Sequence, residues 1–163
     1  MSLARAGQAR STSIATARLK AEAGSAEPPA IHVLAGALFD AGRRVLIAQR
    51  PAGKHMAGKW EFPGGKRAVN ETPFAALCRE LHEELGIDVA HAQPLIHYEY
   101  TYSDRVVLLD LWCVTDYSGE PQSREGQSLA WVRVQDLGEI DLLEADRPMI
   151  QALRHYVGVA LSS

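Results

Sequence analysis

Residues 65–87 read GKRAVNETPFAALCRELHEELGI, and this stretch decides the fold because it encodes a helix whose charges need an outside partner. Thr72 suits the N-cap, and Pro73 suits the first turn, where its missing N–H costs nothing. Phe74, Leu77, Cys78, Leu81 and Leu85 recur at the three- and four-residue spacing of one buried face. Gly86 follows the last turn as a natural terminating residue. At about 100° per residue, Glu80, Glu83 and Glu84 fall within an arc roughly 100° wide. Like charges so placed destabilise a helix by roughly 0.2–0.5 kcal/mol, and the nearby helix C-terminus disfavours them further. Three glutamates considered alone are more often a solvated acidic face, paired with Arg79 and neighbouring lysines. With a cation they become a ligand set, and their hard oxygens suit Mg²⁺ or Mn²⁺.

Outward from this helix the pattern becomes β-like. Ile31 to Phe39 and Arg44 to Gln49 are apolar runs around the turn residues Asp40-Ala41-Gly42, and together they read as a hairpin. Residues 50–59 read as a loop, and Trp60-Glu61-Phe62 as a brief strand ended by Pro63-Gly64-Gly65. Downstream, residues 94–102 and 105–116 read as strands joined by Ser103-Asp104, and 129–134 as a shorter one. Met149, Ile150, Leu153 and Val157 give helical spacing over about 146–157. Strands and helices interleave without a regular βαβ cycle, which predicts an α/β domain with a mixed sheet flanked by helices.

Composition bounds the function. The 163 residues are 47% hydrophobic and 23% charged, an ordinary balance for one globular domain. A net charge of −3 makes duplex nucleic acid an unsuitable partner and leaves room for a small anion received by a metal or local cations. Two distant cysteines, Cys78 and Cys113, read as reduced residues of a cytoplasmic protein. No apolar run is as long as a membrane span. Residues 1–29, rich in Ala, Ser, Gly and Arg and closed by Pro28-Pro29, read as a disordered tail before a domain over 30–160.

The fixed positions around the helix carry a resemblance. Gly65, Glu71, Arg79, Glu80, Leu81, Glu83, Glu84, Gly86 and Ile87 match G-x5-E-x7-R-E-U-x-E-E-x-G-U, the Nudix box, at every defined place. The chain is identified on this motif as a member of the Nudix hydrolase family. That implies an α/β/α sandwich with the Nudix loop-helix-loop and hydrolysis of nucleotides at a diphosphate linkage. It also implies metal ligation by Glu80, Glu83 and Glu84, aided by Gly64 and by Glu125 of a later loop. Arg79 would orient a glutamate, and Glu71 would brace the loop or reach metal through water. Glu80 is the first candidate to orient or deprotonate the attacking water, and Glu125 the second. The implied cofactor is Mg²⁺, with Mn²⁺ as the alternative.

The flanks resemble the MutT-type 8-oxo-dGTP diphosphatases. The run His55-Met56-Ala57-Gly58-Lys59-Trp60-Glu61-Phe62-Pro63-Gly64-Gly65-Lys66 is similar to theirs, and the likeness covers roughly residues 31–155. It implies phosphate contact by Arg50, purine stacking by Phe62, and closure of the nucleotide site by Asp104 and Arg105. Lys66 is a further candidate for phosphate. Read without the family, Phe62 is equally a core residue, while Arg50, Arg105 and Lys66 are surface cations. His55 and His82 lack ligand-like pairing. Near the last helix, where such enzymes place Ala-Asn before a proline, this chain has Ala145-Asp146-Arg147-Pro148. An amide donates and accepts at once, whereas an ionised carboxylate only accepts. Asp146 therefore either holds a proton through burial or favours a base with an exocyclic amine, unless it simply caps the helix.

The expectation is a monomeric or weakly dimeric nucleoside triphosphate pyrophosphohydrolase acting on 8-oxo-dGTP, with CTP or a modified pyrimidine triphosphate as the alternative substrate. A non-catalytic nucleotide sensor is the rival of another class, and retention of every box glutamate weighs against it.

Overall fold

The computed structural model describes residues 30–161. The tail read over 1–29 lies outside them. The strands are β1 (Ile31–Ala37), β2 (Arg44–Gln49), β3 (Trp60–Glu61), β4 (Gly64–Lys66), β5 (Asp88–Thr101), β6 (Val106–Ser118) and β7 (Ser128–Arg133). Helix α1 spans Pro73–Leu85 and helix α2 spans Arg147–Leu161, with 3-10 turns at Val134–Glu139 and Glu144–Asp146.

A four-stranded mixed sheet has the order β4-β1-β6-β5, and β1 and β6 run parallel at its centre. Side chains alternate across it, as the two-residue strand period requires. Leu34 of β1 and Leu38 just past its end pack with Leu77, Leu81 and Leu85 of α1. Ala35, Ala37, Leu109 and Leu111 face the opposite way, toward Met149, Ile150 and Leu153 of α2. One helix therefore covers each face, and the α/β/α sandwich is observed.

Helix α1 begins and ends as its sequence predicts. Thr72 accepts a hydrogen bond from the Ala75 N–H, and Gly86 adopts a left-handed conformation with φ 71° while its N–H closes on the His82 carbonyl. The buried face consists of Ala76, Leu77, Leu81 and Leu85, with Phe74 and Cys78 only partly covered. Cys78 and Cys113 are both free thiols.

Three expectations need correction. The hairpin of β1 and β2 exists only at its turn, where Phe39 pairs with Val45. Beyond it the strands diverge, and β2 joins a separate antiparallel sheet of order β3-β2-β7. The physical reason lies in β2, whose Val45 and Ile47 serve the α2-side core while Leu46 serves the α1-side core. Second, Gly64–Lys66 is not merely a turn but strand β4, paired antiparallel to β1. Third, β5 starts near residue 88 and carries register shifts around His91 and Pro94, which interrupt the alternation by which a strand is read from sequence.

Candidate active site

Four structural devices bring the carboxylates together. The first is the close passage of β4 beneath the last turns of α1. Gly65 lies so near Glu80 that a Cβ there would sit 2.3 Å from its carboxyl, and a Cβ on Gly64 would sit 1.9 Å from the Leu34 carbonyl oxygen. At Gly64, where the obstacle is backbone, only glycine allows this approach, and at Gly65 a side chain would displace the Glu80 carboxyl. The Gly64 N–H then donates to Glu84 Oε2 at 3.1 Å.

The second device is the brace around Arg79. Its Nε and Nη2 donate to the two oxygens of Glu71 at 2.7 and 2.9 Å, and Nη2 also reaches the Lys66 carbonyl at 3.0 Å. Nη1 donates to Glu80 at 2.8 Å and to Glu83 at 3.4 Å. The Arg79 guanidinium, helped by the Ala68 N–H, holds the Glu71 carboxyl down at about 2. Glu71 is thus the loop brace, and Arg79 a rigid fork between it and Glu80. Lysine cannot span both partners. Arg79→Lys is expected to lower kcat about 10- to 100-fold with a much smaller loss of stability, checked by steady-state kinetics beside thermal melting.

The third device is the loop after β6, which docks on the end of α1. The N–H groups of Gln122 and Arg124 donate to the carbonyls of Leu85 and Glu84, satisfying acceptors that a helix C-terminus leaves open. Buried Gln127 accepts from the Ser123 hydroxyl and the Glu125 N–H, and its amide donates to the Glu84 carbonyl. These bonds turn Glu125 toward the same cleft as Glu84.

The fourth device pins β3 to the chain before α2. Trp60 exchanges backbone hydrogen bonds with Asp141 and Leu143. Phe62, two residues on, donates its N–H to Asp146 Oδ2 at 3.1 Å.

The result is an open cleft of about 590 Å³, lined by the carboxylates of Glu61, Glu80, Glu84 and Glu125 and also by Phe62, Tyr102, Ala145 and Asp146. Gly64, Lys66, Arg50 and Arg105 also line it. Of the sequence candidates, Arg79, Glu83 and Asp104 do not, and Arg79 reaches it through its bond to Glu80. The Glu83 side chain is 53% exposed beside Arg79, and Asp104 points outward with an ion pair of 3.6 Å to Arg105. Arg105 lies over the Tyr102 ring at 5.2 Å from its centroid. Phe62 is 4% exposed in the α2-side core, as its core reading expects, and also borders the cleft. His55 borders the cleft and offers its carbonyl to Arg50, and His82 pairs with Asp88 instead.

Glu61 and Tyr102 escaped the sequence reading. Glu61 sits between two aromatics in a two-residue strand, and its ion pair with Arg50 at 2.9 Å joins residues that no local spacing links. Burial pushes its carboxyl up, against the pull of Arg50.

The electrostatics of the cleft have a clear deficit. Burial raises the Glu84 carboxyl to about 8, with the Gly64 N–H opposing and Glu125, Glu61 and Glu80 adding repulsion. Convergent carboxylates that cannot all ionise fit a divalent cation, which removes both penalties. Asp146, only 6% exposed, is raised to about 7 by burial, opposed by the Phe62 N–H and by Arg50 and reinforced by Glu61. Its carboxyl accepts from the Phe62 N–H, and among the described residues no hydrogen bond reaches it from the first turn of α2.

A mixed-sheet sandwich with a carboxylate-rich helix end facing a nucleotide-sized cleft defines a class, and the comparisons agree. The chain belongs to the NUDIX domain family, whose model matches residues 34–152, and it is a Nudix hydrolase acting on phosphoanhydrides. It is 37% identical over 124 residues to an 8-oxo-dGTP diphosphatase of Escherichia coli (strain K12), covering 76% of this chain and 96% of that one. It is also 38% identical over 122 residues to a CTP pyrophosphohydrolase of the same organism, covering 75% and 90%. A solved MutT structure, from work on Aliivibrio salmonicida and Vibrio cholerae, superposes with a TM-score of 0.67 at 36% identity over 76% of this chain and 95% of that one. Among the described residues, no helix is long and apolar enough to cross a membrane.

Proposed function

We propose that this enzyme is a Mg²⁺-dependent pyrophosphohydrolase that converts 8-oxo-dGTP to its monophosphate and pyrophosphate in the cytoplasm. The observation that carries this reading is a four-carboxylate cluster in a cleft that Phe62 and Asp146 also line. Glu80, Glu84 and Glu125, with the Gly64 carbonyl, would hold the metal, and Glu83 would support them from the rim. When bound, Mg²⁺ supplies charge neutralisation and lowers the pKa of a bound water. Glu80, held by Arg79, orients the attacking water, and Glu125 is the second candidate for accepting its proton. Arg50, Lys66 and Arg105 offer cations to the phosphates, while Asp104 keeps Arg105 at the mouth. Phe62 and Tyr102 offer faces and edges to the base, and Asp146 offers the polar contact.

Protonated Asp146 can donate and accept, the pattern an oxidised purine requires, and its raised pKa supports that state near neutrality. Ionised Asp146 would favour an exocyclic amine, which together with the similarity to a CTP pyrophosphohydrolase keeps cytidine triphosphates as the second reading. The test is kcat/KM measured in parallel for 8-oxo-dGTP, dGTP, CTP and dCTP at pH 6.5. The 8-oxo-dGTP value is expected to exceed that for dGTP by more than about tenfold. If it does not, and CTP is turned over faster, the second reading replaces the first.

A further inference from the structure

A second cluster of ligating side chains stands on the α1 side of the mixed sheet, and none of its members lines the carboxylate cleft. His32 of β1, Asp110 of β6 and His97 of β5 come from three adjacent strands. The register makes this placement rigid, with His97 directly opposite Asp110 and His32 two residues along β1 from Leu34, which is also opposite Asp110. Asp110 is 8% exposed and has one imidazole for each oxygen. His32 Nε2 lies 2.7 Å from Oδ2, and His97 Nδ1 contacts Oδ1. The rings stand edge to face with centroids 6.1 Å apart. The His97 side chain is 61% exposed, so the cluster is open to solvent on that side.

We propose that His32, His97 and Asp110 form a binding site for a borderline transition-metal dication such as Zn²⁺, separate from the oxygen-donor site of the cleft. Two imidazoles and one carboxylate, whose ligand atoms all lie within 4.8 Å of one another, suit such an ion and leave further positions for water. They do not suit Mg²⁺, which prefers oxygens. Without metal the same atoms make a hydrogen-bonded pair around Asp110. Arg67 records which form is present. Its Nη1 lies 3.3 Å from His32 Nδ1, and a guanidinium can only donate, so Nδ1 accepts and the ring proton sits on Nε2, facing Asp110. Metal at Nε2 moves that proton to Nδ1 and breaks the Arg67 bond. Arg67 also donates from Nε to the Glu71 carbonyl at 2.5 Å, so occupancy is felt by the loop that braces Arg79.

The test uses the full, untagged chain, stripped of metal and titrated with Co²⁺ in the presence of a large excess of Mg²⁺ to fill the cleft. The expected result is one tightly held Co²⁺ per chain with a visible ligand-field band. His97→Ala, at an exposed position that does not threaten folding, is expected to weaken Co²⁺ binding by more than about 100-fold. Glu84→Gln is expected to leave it unchanged. Retention of Co²⁺ by His97→Ala at parental affinity, absence of Co²⁺ binding by the parent, or its loss in Glu84→Gln would each overturn the assignment.

Discussion

Glu84→Gln is expected to lower kcat by about 10³-fold, the order of effect seen when one group that stabilises developing charge is removed. Glu84 is strongly desolvated, receives the Gly64 N–H, and faces three other carboxylates. The same replacement should make the metal-free protein more stable. A carboxyl raised from 4.5 to about 8 keeps its proton in the folded state after the unfolded chain has lost it. Its cost to stability therefore grows as pH rises from 4.5 to about 8 and is absent below that window. Melting of metal-free parent and variant at pH 4 and pH 8.5 checks the sign, with the variant's advantage confined to the higher pH. Loss of function with gain of stability is the signature of a site built at the expense of the fold. Glu83→Gln should cost less activity, because Glu83 is exposed at the rim and contributes through Arg79.

The second large effect concerns Asp146. The groups facing its carboxyl are the Phe62 N–H, Glu61, Arg50 and the hydroxyls of Tyr98 and Tyr102, and both tyrosines are themselves raised, first by burial and then by Asp146. Asp146 titrates from a donor-acceptor to a pure acceptor as pH rises through about 7. The kcat/KM of the parent for 8-oxo-dGTP is therefore expected to fall above pH 7 relative to that for CTP. Asp146→Asn keeps the bond from Phe62 and supplies an amide at every pH. It is expected to remove this pH dependence and to raise the 8-oxo-dGTP to CTP ratio at pH 8.5 by about 10- to 100-fold. Stability should move with the same sign as for Glu84. The burden of the raised carboxyl, at most about 4 kcal/mol, accumulates between pH 3.8 and about 7 and is absent from the variant. A ratio in Asp146→Asn that still tracks pH would show that another group reads the base.

What the sequence made legible was local. Helix α1, its caps at Thr72 and Gly86, and the convergence of Glu80 and Glu84 follow from spacing within some two dozen residues, because capping and helical periodicity are short-range. The roles expected of Glu71 and Arg79 came from the resemblance to the Nudix box, and the structure adds the paired hydrogen bonds that join them. Contacts that close over longer distances were not. Glu61 enters the cleft because β3 pairs with β2 and is pinned to residues 141–143, and Gln127 aims Glu125 by reaching back to the helix end. Nothing in the neighbourhood of either residue encodes that partner. Phe62 shows the limit of a choice between alternatives, since one side chain fills the core and borders the site. The hairpin failed because a turn fixes only the pairs beside it, and the competing cores of α1 and α2 decided where β2 went.

The most direct test of the central claim is quantification of the products released from 8-oxo-dGTP by the purified enzyme with Mg²⁺ and with EDTA. A Mg²⁺-dependent pyrophosphohydrolase releases equal amounts of monophosphate and pyrophosphate with Mg²⁺ and neither with EDTA, and that is the expected result. Turnover that survives EDTA, or release of orthophosphate with a nucleoside diphosphate in place of pyrophosphate, would contradict it.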